Sequence, residues 1–126
     1  MKGRISMTLT FYWYPKCSTC QKAKKWLDTH DISYDLVHIV DETPTKEEIL
    51  HMIENSGLPA RRFFNTSGRV YRSLNMKDKI KDASVDEMAA YLASDGMLIK
   101  RPIATDGRQT TVGFKEDMFQ DVWLRA

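Results

Sequence analysis

The chain contains two cysteines, Cys17 and Cys20, separated by Ser18 and Thr19. A Cys-x-x-Cys pair suits thiol-disulfide exchange. One thiolate attacks a substrate, and the second thiol, one helical turn on, attacks the mixed disulfide and releases the product. Cys17 falls where an apolar, aromatic-rich run ends and an amphipathic helical pattern begins, so it is expected just before the first turn of a helix. There the unpaired backbone N–H groups and the positive end of the helix dipole favour an anion, and the thiolate is the reactive form of cysteine. Two plainer readings stand beside this one. A structural zinc site takes about four ligands; the cysteines supply half, and His30 and His38 complete no usual spacing, so no metal site is expected. Two inert buried thiols are the other alternative, since free cysteine packs as a small apolar residue; the strand-to-helix junction and the nearby lysines favour the redox reading. His30, His38 and His51 form no constellation and are expected to be surface or partly buried residues rather than general bases.

Such a pair needs a strand before it and a helix after it. Leu9, Thr10, Phe11, Tyr12, Trp13 and Tyr14, bounded by Pro15, read as a buried strand. Ala23, Trp26 and Leu27 then recur at helical spacing, with Lys22, Lys24 and Lys25 on the polar side. Residues 33–40 read as a second strand ending in the turn Asp41-Glu42-Thr43-Pro44, which completes a β-α-β unit. Thr45 and Glu48 have capping-box spacing ahead of Ile49, Leu50, Met52 and Ile53, and Gly57 can close that helix. A short helix is expected over 59–64, with a turn or cap at Asn65-Thr66-Ser67-Gly68. Ser84 and Glu87 make a second capping box before Met88, Ala89, Tyr91 and Leu92, with Gly96 as the terminator. Residues 97–103 and 110–114 can pair as a hairpin around Asp106-Gly107-Arg108. A last helix over 115–124 is expected to turn Met118, Val122 and Trp123 to one side.

Composition narrows the class. At 126 residues the chain is the length of a single domain, able to bury a core without disulfide staples. No apolar run approaches the ~18 residues that suggest a membrane span. Lys2 and Arg4 are not followed by a signal-peptide apolar region, so a cytoplasmic protein is expected, with residues 1–6 a loose extension before Met7. In a reducing compartment a Cys-x-x-Cys pair cycles rather than staples. The net charge of +2 shows no basic stripe, and direct nucleic-acid binding is not expected. The alternating charges at residues 77–82 read as a solvated helix face or loop.

The predicted order is α/β: a mixed sheet of about four strands flanked by helices, with a helical segment inserted at about 45–95 in a single domain over residues 1–126. This is a thioredoxin-like arrangement, and the chain resembles the arsenate reductase and Spx family. The resemblance is carried by Pro15 to Cys20, by Glu42-Thr43-Pro44-Thr45-Lys46-Glu47-Glu48 and by Phe63-Phe64-Asn65-Thr66-Ser67-Gly68. It continues through Leu98-Ile99-Lys100-Arg101-Pro102-Ile103 and Val112-Gly113-Phe114-Lys115-Glu116-Asp117.

What the resemblance implies is a reductase in which Cys17 attacks arsenate and a thiol completes the reduction. Glutathione with glutaredoxin, or thioredoxin, would be the reductant, with no bound cofactor. Arg101 matches an arginine that contacts the oxyanion and the active thiolate, work that suits a permanently charged fork of donors. Pro102 matches a cis-proline beside the active cysteine. Ser18, Thr19 and Asn65 are implied as further substrate contacts. Reductases of this type place three arginines around the oxyanion, and here Asn65 and Phe114 stand at two of those positions, with Arg61, Arg62, Arg69 and Lys115 nearby in sequence. Cys20 and the residues 112–117 resemble the Spx branch more closely. That branch implies a redox-sensing regulator binding the RNA polymerase α subunit. Both functions are therefore carried forward: a thiol oxidoreductase acting on a small oxyanion or a disulfide, and an Spx-like switch.

Overall fold

The aromatic run forms strand β1, Leu9–Trp13, and its alternation sorts the molecule into two halves. The computed structural model describes residues 8–124. Leu9 and Phe11 face helices α1, Ser18–Thr29, and α6, Glu116–Trp123, in a cluster with Ala23, Trp26, Leu27 and Phe119. Tyr12 and Tyr14 lean the other way, onto a larger cluster that includes Ile49, Met52, Leu92 and Ile103. Period-two alternation on a sheet covered on both faces produces this division.

Strand β2 is Tyr34–His38, β3 is Ile103–Thr105 and β4 is Thr110–Val112. The sheet order is β2-β1-β3-β4. β2 runs parallel to β1, with Phe11 opposite Leu36, and β3 is antiparallel to both β1 and β4. The mixed four-stranded sheet and the β-α-β opening agree with the sequence reading; a hairpin also forms, but its first strand is Ile103–Thr105 rather than the run 97–103, whose start is a 3-10 turn. Between β2 and β3 lie α2, Lys46–Ser56, α3, Arg69–Ser73, α4, Met76–Lys79, and α5, Val85–Ser94.

Local signals account for most element ends. Thr45 and Ser84 each accept the N–H of the residue three on, and Glu48 and Glu87 return the bond, so both capping boxes are complete. Gly57 closes α2 at φ +72°, in the left-handed region that glycine enters freely. In the charged segment 77–82 the lysines and aspartates are exposed, while Met76 and Ile80 anchor it to the core.

Several expectations need correction. Gly96 does not terminate α5 by adopting a left-handed conformation; Asp95 ends the helix, and Gly96 begins a 3-10 turn, Gly96–Leu98. Its role is close approach, because a Cβ there would collide with the Ile39 carbonyl. The short helix expected over 59–64 is a 3-10 turn, Ala60–Phe63. An isolated bridge pairs Ile99, from the run expected to form a hairpin strand, with Phe64, from the segment expected as a short helix, while the strand itself is only Ile103–Thr105. On α6 the fully buried residue is Phe119, while Met118, Val122 and Trp123 are half-buried. The physical cause is an aromatic cluster: Phe119 meets Trp26 at 5.3 Å and Phe114 at 4.8 Å, both edge to face. The expected extension at residues 1–6 lies outside the described residues.

Candidate active site

Cys17 is the N-cap of α1, with extended backbone, and its sulfur accepts the N–H of Cys20 at 3.3 Å. A sulfur here occupies the place of a capping oxygen, satisfying one of the donors that a helix start leaves unpaired. The loop before it is held twice: the Cys17 N–H donates to the Tyr14 carbonyl at 2.9 Å, and Gln21 reaches back to the Pro15 carbonyl at 2.6 Å. Cys17 is half-buried, whereas Cys20 is fully buried one turn later. Burial first, then its hydrogen bond to Cys17, pushes the Cys20 thiol up to about 12; the Tyr14 backbone and the Arg101 charge oppose that shift. The two thiols are thus unequal, one half-buried and the other fully shielded.

Arg101 and Pro102 come from the segment before β3, and their peptide bond is cis. The Arg101 guanidinium lies 5.0 Å from the centre of the Tyr14 ring. Its Nη1 donates to the carbonyls of Ile99 at 3.2 Å and Met97 at 3.4 Å. A guanidinium carries five N–H donors, and among the described residues only those of Nη1 are engaged by hydrogen bonds. Tyr14 itself meets His38 edge to face at 5.6 Å. The Asn65 loop is tied to the same segment, through Asn65 N–H to the Leu98 carbonyl and Lys100 N–H to the Phe63 carbonyl, both at 2.8 Å. This is what the Phe64–Ile99 bridge accomplishes for the site.

A cleft of about 710 Å³ opens beside Cys17. Of the residues singled out from sequence, Cys17, Thr19, Asn65 and Arg101 line it together. Ser18 and Cys20 do not: Ser18 is exposed on the first turn of α1 and Cys20 lies beneath it. Phe114, where the resemblance implied an arginine, lines the cleft as an aromatic wall braced by Phe119. The cations lie elsewhere in the lining: Lys16, Arg62, Lys100 and Lys115 join Arg101. Arg62 and Lys115 were noted as neighbours in the sequence, whereas Lys16 and Lys100 carried no signal apart from adjacency to Cys17 and Arg101. Met118 and Ser67 also line the cleft, and neither was foreseen.

The histidines are occupied locally. The His30 Nδ1 bonds the Trp26 carbonyl at 2.8 Å, His38 Nδ1 accepts the N–H groups of Val40 and Asp41, and His51 Nε2 bonds the Gly107 carbonyl at 3.0 Å. Among the described residues, no helix is long and apolar enough to cross a membrane.

A four-stranded mixed sheet with Cys-x-x-Cys at the start of the first helix and the cis-proline segment beside it defines a thioredoxin-like α/β protein built around a thiol pair. Known proteins sharpen this. The ArsC family matches residues 12–122, and the chain belongs to that family. It is 57% identical to the uncharacterized protein YusI of Bacillus subtilis (strain 168), over 93% of this chain and 99% of that one. It is 31% identical to the global transcriptional regulator Spx of Lactiplantibacillus plantarum, over 84% of this chain and 79% of Spx. A crystal structure described as a possible arsenate reductase from Streptococcus mutans UA159 matches with a TM-score of 0.82 and 48% identity, covering 88% of this chain and 97% of that one.

Proposed function

We propose that the chain is a thiol-dependent oxidoreductase resembling arsenate reductase. Cys17 is the nucleophile, Cys20 the resolving thiol and Arg101 the residue that steadies the anion and the thiolate. The observation carrying this reading is the half-buried Cys17 sulfur at a helix N-terminus, opening onto a cleft that Arg101 also lines. With a disulfide R–S–S–R′, the Cys17 thiolate forms Cys17–S–S–R and expels R′–S⁻. The Cys20 thiol then loses its proton, attacks Cys17 and expels R–S⁻, leaving a Cys17–Cys20 disulfide. Two electrons from glutathione with glutaredoxin, or from thioredoxin, restore the dithiol. Thr19 and Asn65 border the cleft as substrate contacts, whereas Ser18, outside its lining, is not assigned one. The cytoplasm is the fitting compartment, because such a pair must be returned to its reduced form.

The test is arsenate-dependent NADPH oxidation, coupled separately through glutathione with glutaredoxin and through thioredoxin. Turnover that disappears in Cys17→Ser establishes arsenate reduction. Absence of turnover in both couples removes arsenate and leaves disulfides as the substrate class.

The relation to Spx favours a second reading: a regulator whose Cys17–Cys20 disulfide alters binding to the RNA polymerase α subunit. Pull-down with the oxidised and reduced protein separates the two. Binding that changes with redox state supports the regulator, and equal absence of binding in both forms removes it.

A further inference from the structure

The cleft beside Cys17 is larger and more basic than a tetrahedral oxyanion requires. Its volume of about 710 Å³ falls in the range of roughly 300–1,000 Å³ that holds organic ligands of drug size. Lys16, Arg62, Lys100, Arg101 and Lys115 line it, and no Asp or Glu does. Among the described residues, none of the five takes part in an ion pair. Like charges gathered around one concavity focus a positive potential there, and an entering anion relieves their mutual repulsion. The rest of the wall is partly apolar, with Phe114 and Met118 beside the cations.

We propose that this cleft receives a thiol whose organic body carries phosphate groups, presented as a disulfide, with Cys17 taking the thiol half. The proposal rests on the thiol-exchange reading and names its substrate class. The absence of acids decides between kinds of anion. A peptide thiol such as glutathione brings an ammonium group with its carboxylates, and this lining offers that ammonium no partner. Phosphates bring negative charge without a cation, and both ammonium and guanidinium groups serve them. The cations also come from separate segments: the loop before α1, the 3-10 turn at Ala60–Phe63, the residues before Pro102 and the N-cap of α6. They suit charges placed at several points along a ligand better than a single compact oxyanion. Phe114, held by Phe119, offers its ring to the uncharged part of the body.

The exchange balances without any further oxidant. The substrate disulfide is reduced to two thiols, the Cys17–Cys20 pair is oxidised to a disulfide, and an external dithiol then supplies the two electrons that reset it.

The test follows reduced protein by mass spectrometry and thiol release with three probes: coenzyme A disulfide, pantethine and oxidised glutathione. Pantethine has the same reacting arm as coenzyme A disulfide but lacks its phosphates and adenosine, so the salt dependence of the rate ratio and its response to charge-removing variants isolate the phosphates. At low salt, coenzyme A disulfide is expected to react about tenfold or more faster than pantethine, with a preference that shrinks as salt rises. Lys100→Gln combined with Lys115→Gln, and separately Arg62→Gln, should bring the ratio toward unity, with circular dichroism confirming the fold. A ratio at or below one in the unaltered protein overturns the proposal. So does oxidised glutathione reacting as fast as coenzyme A disulfide, or a ratio that the variants do not move. Failure of all three disulfides to modify Cys17 would instead defeat the thiol-exchange reading, and the proposal with it.

Discussion

The backbone N–H of Cys20 donates to the sulfur of Cys17 at 3.3 Å, while the Cys20 side chain itself is fully buried. The same helical turn therefore presents one sulfur to the cleft and withdraws the other. Iodoacetamide added to the native, reduced protein is expected to place a single label on Cys17, and Cys20 should label only after unfolding. Cys17→Ser should remain essentially unlabelled in the native state. Peptide mapping checks this, and equal labelling of both cysteines in the folded protein would contradict the ranking.

Arg101 is expected to hold the cleft together as well as to meet an anion. Its guanidinium bonds two carbonyls of the turn and stacks on Tyr14. Hydrogen bonds from a charged group contribute about 1.5–3 kcal/mol, and a cation over an aromatic ring about 0.5–1 kcal/mol at a partly exposed site. Arg101→Ala should therefore lower stability by about 2 kcal/mol in urea titration. The double variant Arg101→Ala with Tyr14→Leu should cost less than the sum of its parts, because both remove the same stack. Strict additivity would mean that the stacking contributes nothing.

Two glycines offer a direct comparison of cause. At Gly96 a Cβ would drive into the Ile39 carbonyl, and neither backbone can move without disturbing the core. At Gly57 a Cβ meets nothing within 4 Å, and the cost is only that of a left-handed conformation at φ +72°. Gly57→Ala is expected to cost about 1 kcal/mol, and Gly96→Ala distinctly more, about 3 kcal/mol or misfolding. Thermal denaturation orders the two, and the reverse order would refute the close-approach role of Gly96.

These contrasts also mark where the sequence was legible. Arg101 and the cis bond before Pro102 were implied by the family resemblance alone, whereas Cys17 could be placed because a strand and a helix start fix its position locally. The capping boxes at Thr45 and Ser84 were readable for the same reason, since both partners lie within one turn. Gly96 was misread because a terminator and a point of close contact have the same residue type, and only the approach of Ile39 distinguishes them. Phe119 was missed because its burial depends on Trp26, 93 positions earlier in the chain, and on the short α6 rather than on a long periodic run. The cationic lining was hidden more deeply still. Arg62 and Lys115 could be noted as neighbours of Asn65 and Phe114, but Lys16 and Lys100 look like ordinary surface charges until the Phe64–Ile99 bridge and the start of α6 bring these segments to one cleft.

Stability should carry a signature of the buried thiol at alkaline pH. Burial and the bond to Cys17 hold the Cys20 proton, moving its pKa from the ordinary 9.0 to about 12 in the folded protein. Between those values the unfolded chain has released a proton that the native state keeps, so the native state binds more protons. Unfolding free energy must then fall as pH rises through this window, and this contribution is fully present only below about pH 8.5. Cys20→Ala removes the titration while leaving the other alkaline groups, the raised Tyr12 and Tyr34 among them, in place. Urea midpoints measured under a phosphine reductant at pH 7.5, 9 and 10 should therefore decline more steeply in the unaltered protein than in Cys20→Ala. Parallel declines would show that the Cys20 thiol ionises as readily in the folded state as in the unfolded chain, and its role as the shielded partner of Cys17 would have to be abandoned.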